Sequence, residues 1–189
     1  VSIYKDDQML KLIQDGRPFV CNTLLVNRDK LWYTRAGKLY SARLNSGNRV
    51  EYEIIYASFP EAIRAHELKE DKKGTLFIAT NGGLFGWYQS KLEKLVRDSL
   101  HFREILIDSR GHLWLGQYGG PVNHYTIHYE GTAVSVKLLE TVRSPLASQA
   151  LEKVRALEED SEGNIWVGTR YNGMFHITVN NGRSTSVKH

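Results

Sequence analysis

The sequence predicts an all-β chain built from β-propeller blades, each a four-stranded antiparallel sheet, with about four blades present. Three observations carry this. First, one pattern recurs: an acidic turn closing on Gly, an apolar–aromatic–apolar run with a small residue, then a second Gly turn. It reads DSEGNIWVGTRYNGMF at 160–175, DSRGHLWLGQYGGPV at 108–122 and DKKGTLFIATNGGLF at 71–85, with a looser copy, NRDKLWYTRAGKLY, at 27–40. Second, the aromatic of each copy falls at Trp32, Phe77, Trp114 and Trp166, spaced by 45, 37 and 52 residues, the range of propeller blades rather than helical repeats. Third, the segments between the turns alternate with period two and draw on 4 Trp and 10 Tyr, residues that suit pleated, half-buried surfaces.

Taken in order, residues 1–10 read as the outer strand of a preceding blade. Residues 11–17 give a short strand and a turn at Asp15-Gly16. The first blade is expected over 19–56, with strands at 19–26, 31–34, 38–44 and 50–56 and turns at 27–30 and 45–48. The second is expected over 59–96. Its opening, Pro60 followed by EAIRAHEL, has a helical look, but counting back from the turn Asp aligns Ala65-His66-Glu67-Leu68 with Phe102-Arg103-Glu104-Ile105 and Val154-Arg155-Ala156-Leu157. A shared register outweighs weak local propensity, so these are read as strands. The third blade is expected over 101–139 and the fourth over 151–188. A polar insertion with Pro145, at 141–149, lengthens the step between them and falls on a blade-connecting face, where insertions are tolerated.

The repeat has physical reasons. Asp accepts hydrogen bonds from its own turn, and Gly supplies the left-handed residue. In the following strand Ile165, Val167 and Thr169 share one face, while Trp166, Gly168 and Arg170 share the other. A broad ring beside Gly leaves room for the next sheet, so these aromatics read as scaffold. Four blades close poorly into a ring. Neither end looks like a cap, and the chain reads as an internal piece of a larger propeller.

The net charge of +4 is mild and interspersed, which gives no nucleic-acid signature. Cys21 is the single cysteine. It rules out an intrachain disulfide and reads as a small buried hydrophobe. No signal peptide and no run of membrane-spanning length is seen. Serine elbow, zinc, Walker and dinucleotide motifs are lacking, so the segment is read as non-enzymatic, with no cofactor and no metal. His124 and His128 share a strand face but have no evident third ligand.

With these residues in place, EDSEGNIWVGTRYNGMF and the preceding LEKVRALEED resemble the two-component regulator propeller repeat. The resemblance covers residues 59–179 well and 19–56 loosely. It departs from the pattern at Phe77, Ala79, Gln117 and Pro121. It implies the periplasmic sensor region of a Bacteroidetes-type hybrid two-component system. There, propellers precede a membrane span and a histidine kinase, and the receptor responds to glycans as a dimer to control transcription. The expected partners are an oligosaccharide, the remaining blades and a second receptor chain, without direct nucleic-acid contact.

Interest then moves to residues that fail to recur. Asn22, His66, Arg103 and Arg155 occupy one register position on the strand nearest the axis, where a ring of polar donors would meet sugar hydroxyls or a carboxylate. Arg35, Asn81, Gln117-Tyr118 and Arg170-Tyr171 follow the aromatic strand. There Tyr would stack on a sugar, with Gln and Arg donating hydrogen bonds. Two other readings compete with ligand sensing: a protein-interaction or dimerisation propeller, and a propeller lyase with His66 as base.

Overall fold

The computed structural model describes residues 2–5, 8–27, 30–45, 47, 49–96, 100–144, 151 and 153–189, with side chains from Lys11 onward except at position 52. Among the described residues, twenty strands are arranged as two two-stranded and four four-stranded antiparallel sheets. The two-stranded sheets pair β1 (Ser2–Lys5) with β2 (Gln8–Lys11), and β3 (Ile13–Gln14) with β4 (Arg17–Pro18). Residues 1–10, expected as one strand, instead contribute to two paired strands, β1 and β2. The first blade strand begins at Thr23 rather than at 19.

Blade I comprises β5 (Thr23–Asn27), β6 (Lys30–Arg35), β7 (Lys38–Leu44) and β8 (Val50–Ser58). Blade II comprises β9 (Ala65–Glu70), β10 (Leu76–Thr80), β11 (Gly83–Tyr88) and β12 (Lys91–Val96). Blade III comprises β13 (Phe102–Ile107), β14 (Leu113–Gln117), β15 (Val122–Glu130) and β16 (Ala133–Val142). Blade IV comprises β17 (Val154–Glu159), β18 (Ile165–Thr169), β19 (Met174–Asn180) and β20 (Arg183–Lys188). Parts of the turns expected at 27–30 and 45–48, and most of the insertion expected at 141–149, lie outside the described residues.

The first strands of successive blades pack in series, β5 on β9, β9 on β13 and β13 on β17, and no comparable packing among the described residues joins β17 back to β5. The sheets form an unclosed, partial propeller with β5, β9, β13 and β17 innermost. A hydrophobic layer fills each gap between blades. Trp32, Leu39, Leu68, Ile78 and Phe85 lie between blades I and II. Phe77, Ala79, Phe102, Leu115 and Tyr125 lie between II and III. Trp114, Val154, Val167 and Phe175 lie between III and IV. A fourth layer on the front of blade I joins Leu31, Tyr33 and Tyr40 to Leu12 and Phe19, which come from the segment around β3 and β4.

The acidic turn has one geometry in three blades. Asp71 Oδ1 accepts from the amides of Lys73 and Thr75 at 3.0 and 2.9 Å. Asp108 Oδ1 accepts from Arg110 and His112 at 3.0 and 2.8 Å. Asp160 Oδ1 accepts from Glu162 and Asn164 at 3.0 and 2.9 Å. Gly74, Gly111 and Gly163 take φ near +80°, a conformation that costs other residues dearly. The Trp has a second task that spacing alone did not reveal. Trp114 Nε1 donates to Asp108 Oδ2 at 3.0 Å, and Trp166 Nε1 donates to Asp160 Oδ2 at 3.2 Å. In blade II, where Phe77 has no donor, the Tyr129 hydroxyl from blade III donates to Asp71 Oδ2.

The small position beside the aromatic is a close approach between sheets. A Cβ on Gly116 would lie 2.5 Å from Val154 Cγ1 of the next blade. On blade IV the same face is uncovered: Trp166 is 40% exposed and Met174 59%, whereas Trp32, Phe77 and Trp114 are buried.

Candidate functional site

The two groups of non-recurring residues meet at one end of the propeller because β9, β13 and β17 start where β10, β14 and β18 finish. Each junction is fixed by a backbone bond. Asn81 N donates to Arg64 O at 3.1 Å, Tyr118 N to His101 O at 2.8 Å, and Arg170 N to Lys153 O at 3.0 Å. In blade I, Asn22 N donates to Thr34 O at 2.8 Å.

At this end the inner strand of blades II, III and IV carries a β-bulge at the same register. The ladder skips from Glu67↔Ala79 to Ala65↔Thr80, from Glu104↔Gly116 to Phe102↔Gln117, and from Ala156↔Gly168 to Val154↔Thr169. The extra residue in each case is His66, Arg103 or Arg155. A bulge leaves one residue unpaired and re-aims its side chain. The neighbours Ala65, Phe102 and Val154, with Leu68, Ile105 and Leu157, remain buried in the core. Blade I pairs without this shift, Thr23 facing Thr34 directly. Asn22 there precedes the strand and lines a cavity of about 610 Å³ between blades I and II, with Thr34, Phe59, Ile63 and Arg64.

The re-aimed residues converge with two neighbours. His66 and His101 stack with ring centroids 4.7 Å apart, and their Nε2 atoms lie 2.8 Å apart. Tyr118 stacks on His101 at 5.0 Å. The guanidinium carbons of Arg103 and Arg155 lie 5.9 and 5.8 Å from the Tyr118 ring. Arg103 Nε is buried without a hydrogen-bond partner. Burial, reinforced by Arg103, lowers the His66 pKa to about 4 and also depresses that of His101. Both imidazoles are therefore neutral at neutral pH, so one ring can donate to the other. Below the bulges two carboxyls approach each other. Glu67 accepts from the Ile105 amide of the next blade. Glu104 is pushed up to about 7, by burial first and then by the Glu67 charge. The result is a cationic and aromatic rim over a pair of carboxyls that share a partly desolvated environment.

His66, Arg103, Arg155 and Tyr118 thus come together, joined by His101, which register alignment had not singled out. Its signal was its place one residue before the inner strand. The other members part company. Asn81 is a turn staple: its Oδ1 accepts from Arg64 N at 2.7 Å, and its Nδ2 donates to Ala62 O at 3.1 Å. Gln117 is buried and turns inward to Asn123 Oδ1 at 3.2 Å, because it sits on the strand rather than past it. Arg35 is held by Glu53 at 2.5 Å and Gln14 at 2.9 Å. Tyr171 stands 66% exposed, with Arg170 and Lys153 5.1 and 5.0 Å from its ring. His128 is exposed beside Thr126 rather than facing His124.

The family model described as "Two component regulator propeller" matches residues 149–171. Among curated proteins, none matches the chain by sequence. Several solved structures share the fold. The extracellular domain assigned to hybrid two component system BT4673 from B. thetaiotaomicron superposes with a TM-score of 0.64 at 18% identity, over 97% of this chain and 23% of that one. That of BT3049 from the same organism gives 0.64 at 20% identity, over 90% of this chain and 22% of that one. Virginiamycin B lyase from Staphylococcus aureus gives 0.63 at 14% identity, over 97% and 61%. The chain therefore spans less than a quarter of the two sensor domains. It is a partial propeller whose residues 149–171 match the two component regulator propeller model, and its fold resembles that of the extracellular domains of Bacteroidetes two-component systems.

Proposed function

We propose that this chain is the ligand-sensing propeller module of a membrane-bound hybrid two-component sensor histidine kinase. In this reading it faces the periplasm, works within a dimeric receptor, and meets an oligosaccharide at the bulged end of blades II–IV. The observation that carries the reading is the threefold bulge that turns His66, Arg103 and Arg155 out of the ladder at one register. Tyr118 supplies a ring for stacking on a sugar face. Two guanidiniums beside it, with Arg103 Nε lacking a partner, favour a carboxylated sugar over a neutral one, because Arg pairs with carboxylate through two parallel hydrogen bonds. The resemblance to sensor domains supports a module that binds rather than converts its ligand. Further blades of the same sensor would cover the Trp166 face.

Titration calorimetry with a uronate oligosaccharide and a neutral one of equal length tests this. Preference for the uronate, and weakening by roughly 10-fold or more in Arg103→Ala, is the expected result. Equal binding of both sugars, or unchanged affinity in Arg103→Ala, would sink the reading.

A further inference from the structure

A second cluster lies in blade III, away from the bulged rim, and again it arises where the repeats differ. The turn Asp108 is followed four residues later by His112, and β15 places His124 opposite Trp114. We propose that Asp108, His112 and His124 bind a divalent transition-metal ion of the Zn²⁺ class, with one coordination position left to water.

One ligand atom from each of the three residues lies within 4.8 Å of the other two. His112 Nδ1 and His124 Nε2 point at each other across 3.0 Å. Two imidazole nitrogens each about 2.0–2.1 Å from one tetrahedral ion stand roughly 3.3 Å apart, so opening by a few tenths of an ångström admits the ion between them. Two imidazoles and a carboxylate suit a borderline ion, and three protein ligands are the usual count when a position is kept open.

The surroundings of His124 fix its ring. Its Nδ1 lies 3.0 Å from Glu140 Oε1, and Glu140 is anchored in turn by Ser184 N at 2.9 Å and Ser184 Oγ at 2.6 Å. With Nδ1–H donating to the carboxylate, the Nε2 lone pair faces the cluster, as in carboxylate–histidine–metal arrangements. Trp114 stacks on the fully buried His124 ring with centroids 3.8 Å apart. Asp108 Oδ2 accepts from Trp114 Nε1 and also lies 3.7 Å from Arg110 Nη1. That guanidinium also meets Gly163 O at 3.2 Å and Glu159 at 3.7 Å, so one arginine is shared among the carboxylates of Asp108 and Glu159, with Glu140 behind His124.

The other blades act as internal controls. Blade IV has Asp160, Asn164 and His176 at the same places, and there His176 Nε2 approaches Asp160 Oδ2 directly at 3.4 Å. Blade II has Asp71, Thr75 and Gly86. The turn therefore needs no histidine in the position of His112, and only blade III offers all three ligands among the described residues. Since Ser184 belongs to β20 and a Cβ on Gly182 would touch His112 at 3.2 Å, an ion here would brace the seam between blades III and IV.

The test is calorimetric titration of the chelator-stripped protein with ZnCl₂, with the visible absorption of Co²⁺ as a second readout. Saturable one-to-one binding and four-coordinate Co²⁺ bands are expected for the natural sequence. His112→Asn, which installs the blade IV residue and should fold as well in metal-free buffer, is expected to lose binding by roughly 100-fold or more. Glu140→Gln is expected to weaken it about 10–100-fold. His176→Asn is expected to leave it unchanged. Absence of saturable binding by the natural sequence would overturn the proposal, and so would undiminished binding by His112→Asn.

Discussion

Replacing Gly116 with Ala probes how tightly blade III meets blade IV. The added methyl would lie 2.5 Å from Val154 Cγ1, 2.8 Å from Val154 Cβ and 3.3 Å from Glu104 Cβ. Carbon pairs settle at about 3.5–4.0 Å, so β17 must retreat by roughly 1 Å. A rotamer change at Val154 cannot relieve the contact, because its Cβ is already too close. Overpacking of this kind costs about 1–3 kcal/mol. The lost backbone freedom of Gly in the unfolded chain returns about 0.4–1 kcal/mol. The net destabilisation is about 1–2 kcal/mol, which lowers Tm by roughly 2–8 °C for a chain of this length. Scanning calorimetry can read this against Gly168→Ala. There the methyl meets Ala156 alone, its Cβ at 3.3 Å and its backbone N at 3.9 Å, and the expected change is within about 0.5 kcal/mol. Adding Val154→Ala to Gly116→Ala should recover part of the loss, with a coupling of about 0.5–3 kcal/mol. If Gly116→Ala melts with the natural sequence, or if the double variant is simply additive, the seam is not set by this approach.

Two further outcomes follow from the same interfaces. His66, held down to about 4, binds its proton more weakly folded than unfolded, so its contribution lowers stability as pH falls from about 6.5 to about 4. Glu104, held up to about 7, has the opposite sign: it lowers stability as pH rises from about 4.5 to about 7. His66→Asn should therefore flatten the acid side of the pH–stability curve. Glu104→Gln should raise stability at pH 8 while converging with the natural sequence near pH 4.5; denaturant melts across this range that keep the natural shape in both variants would refute the assignments. Separately, Trp114→Phe should cost about 1–3 kcal/mol, since it strips the indole donor from Asp108, whose side chain has no solvent exposure. Trp166→Phe, on a face open to water, should cost less, and chemical denaturation showing equal losses would contradict this ordering.

What could be read from the residues and what could not separate along physical lines. The blades were legible because Asp–x–x–Gly turns and period-two strands are local chemistry, repeated often enough to set a register. That register reached the bulge positions of His66, Arg103 and Arg155 without coordinates, since alignment on the turn Asp counts residues regardless of how the ladder skips. The partition of the second group was not legible. Whether Gln117 points into the sheet or out of it depends on where β14 ends, and Asn81 reads as a ligand donor until its turn amides are seen to occupy it. The His112–His124 encounter was also hidden. Those residues lie 12 apart, His112 in the turn before β14 and His124 on β15, and only the Trp114↔His124 pairing brings them face to face. His128, four residues from His124, looked the better partner in one dimension, but β15 carries it out to solvent.

The bulges have a consequence for how such a chain changes over time. Each hands one side chain to the rim while the residue before it, Ala65, Phe102 or Val154, stays buried in the core. The bulged position and the core position are thus different residues of the same strand. A lineage can change the charge and shape of the rim by single substitutions at His66, Arg103 or Arg155, one blade at a time, while Ala65, Phe102 and Val154 keep their core contacts.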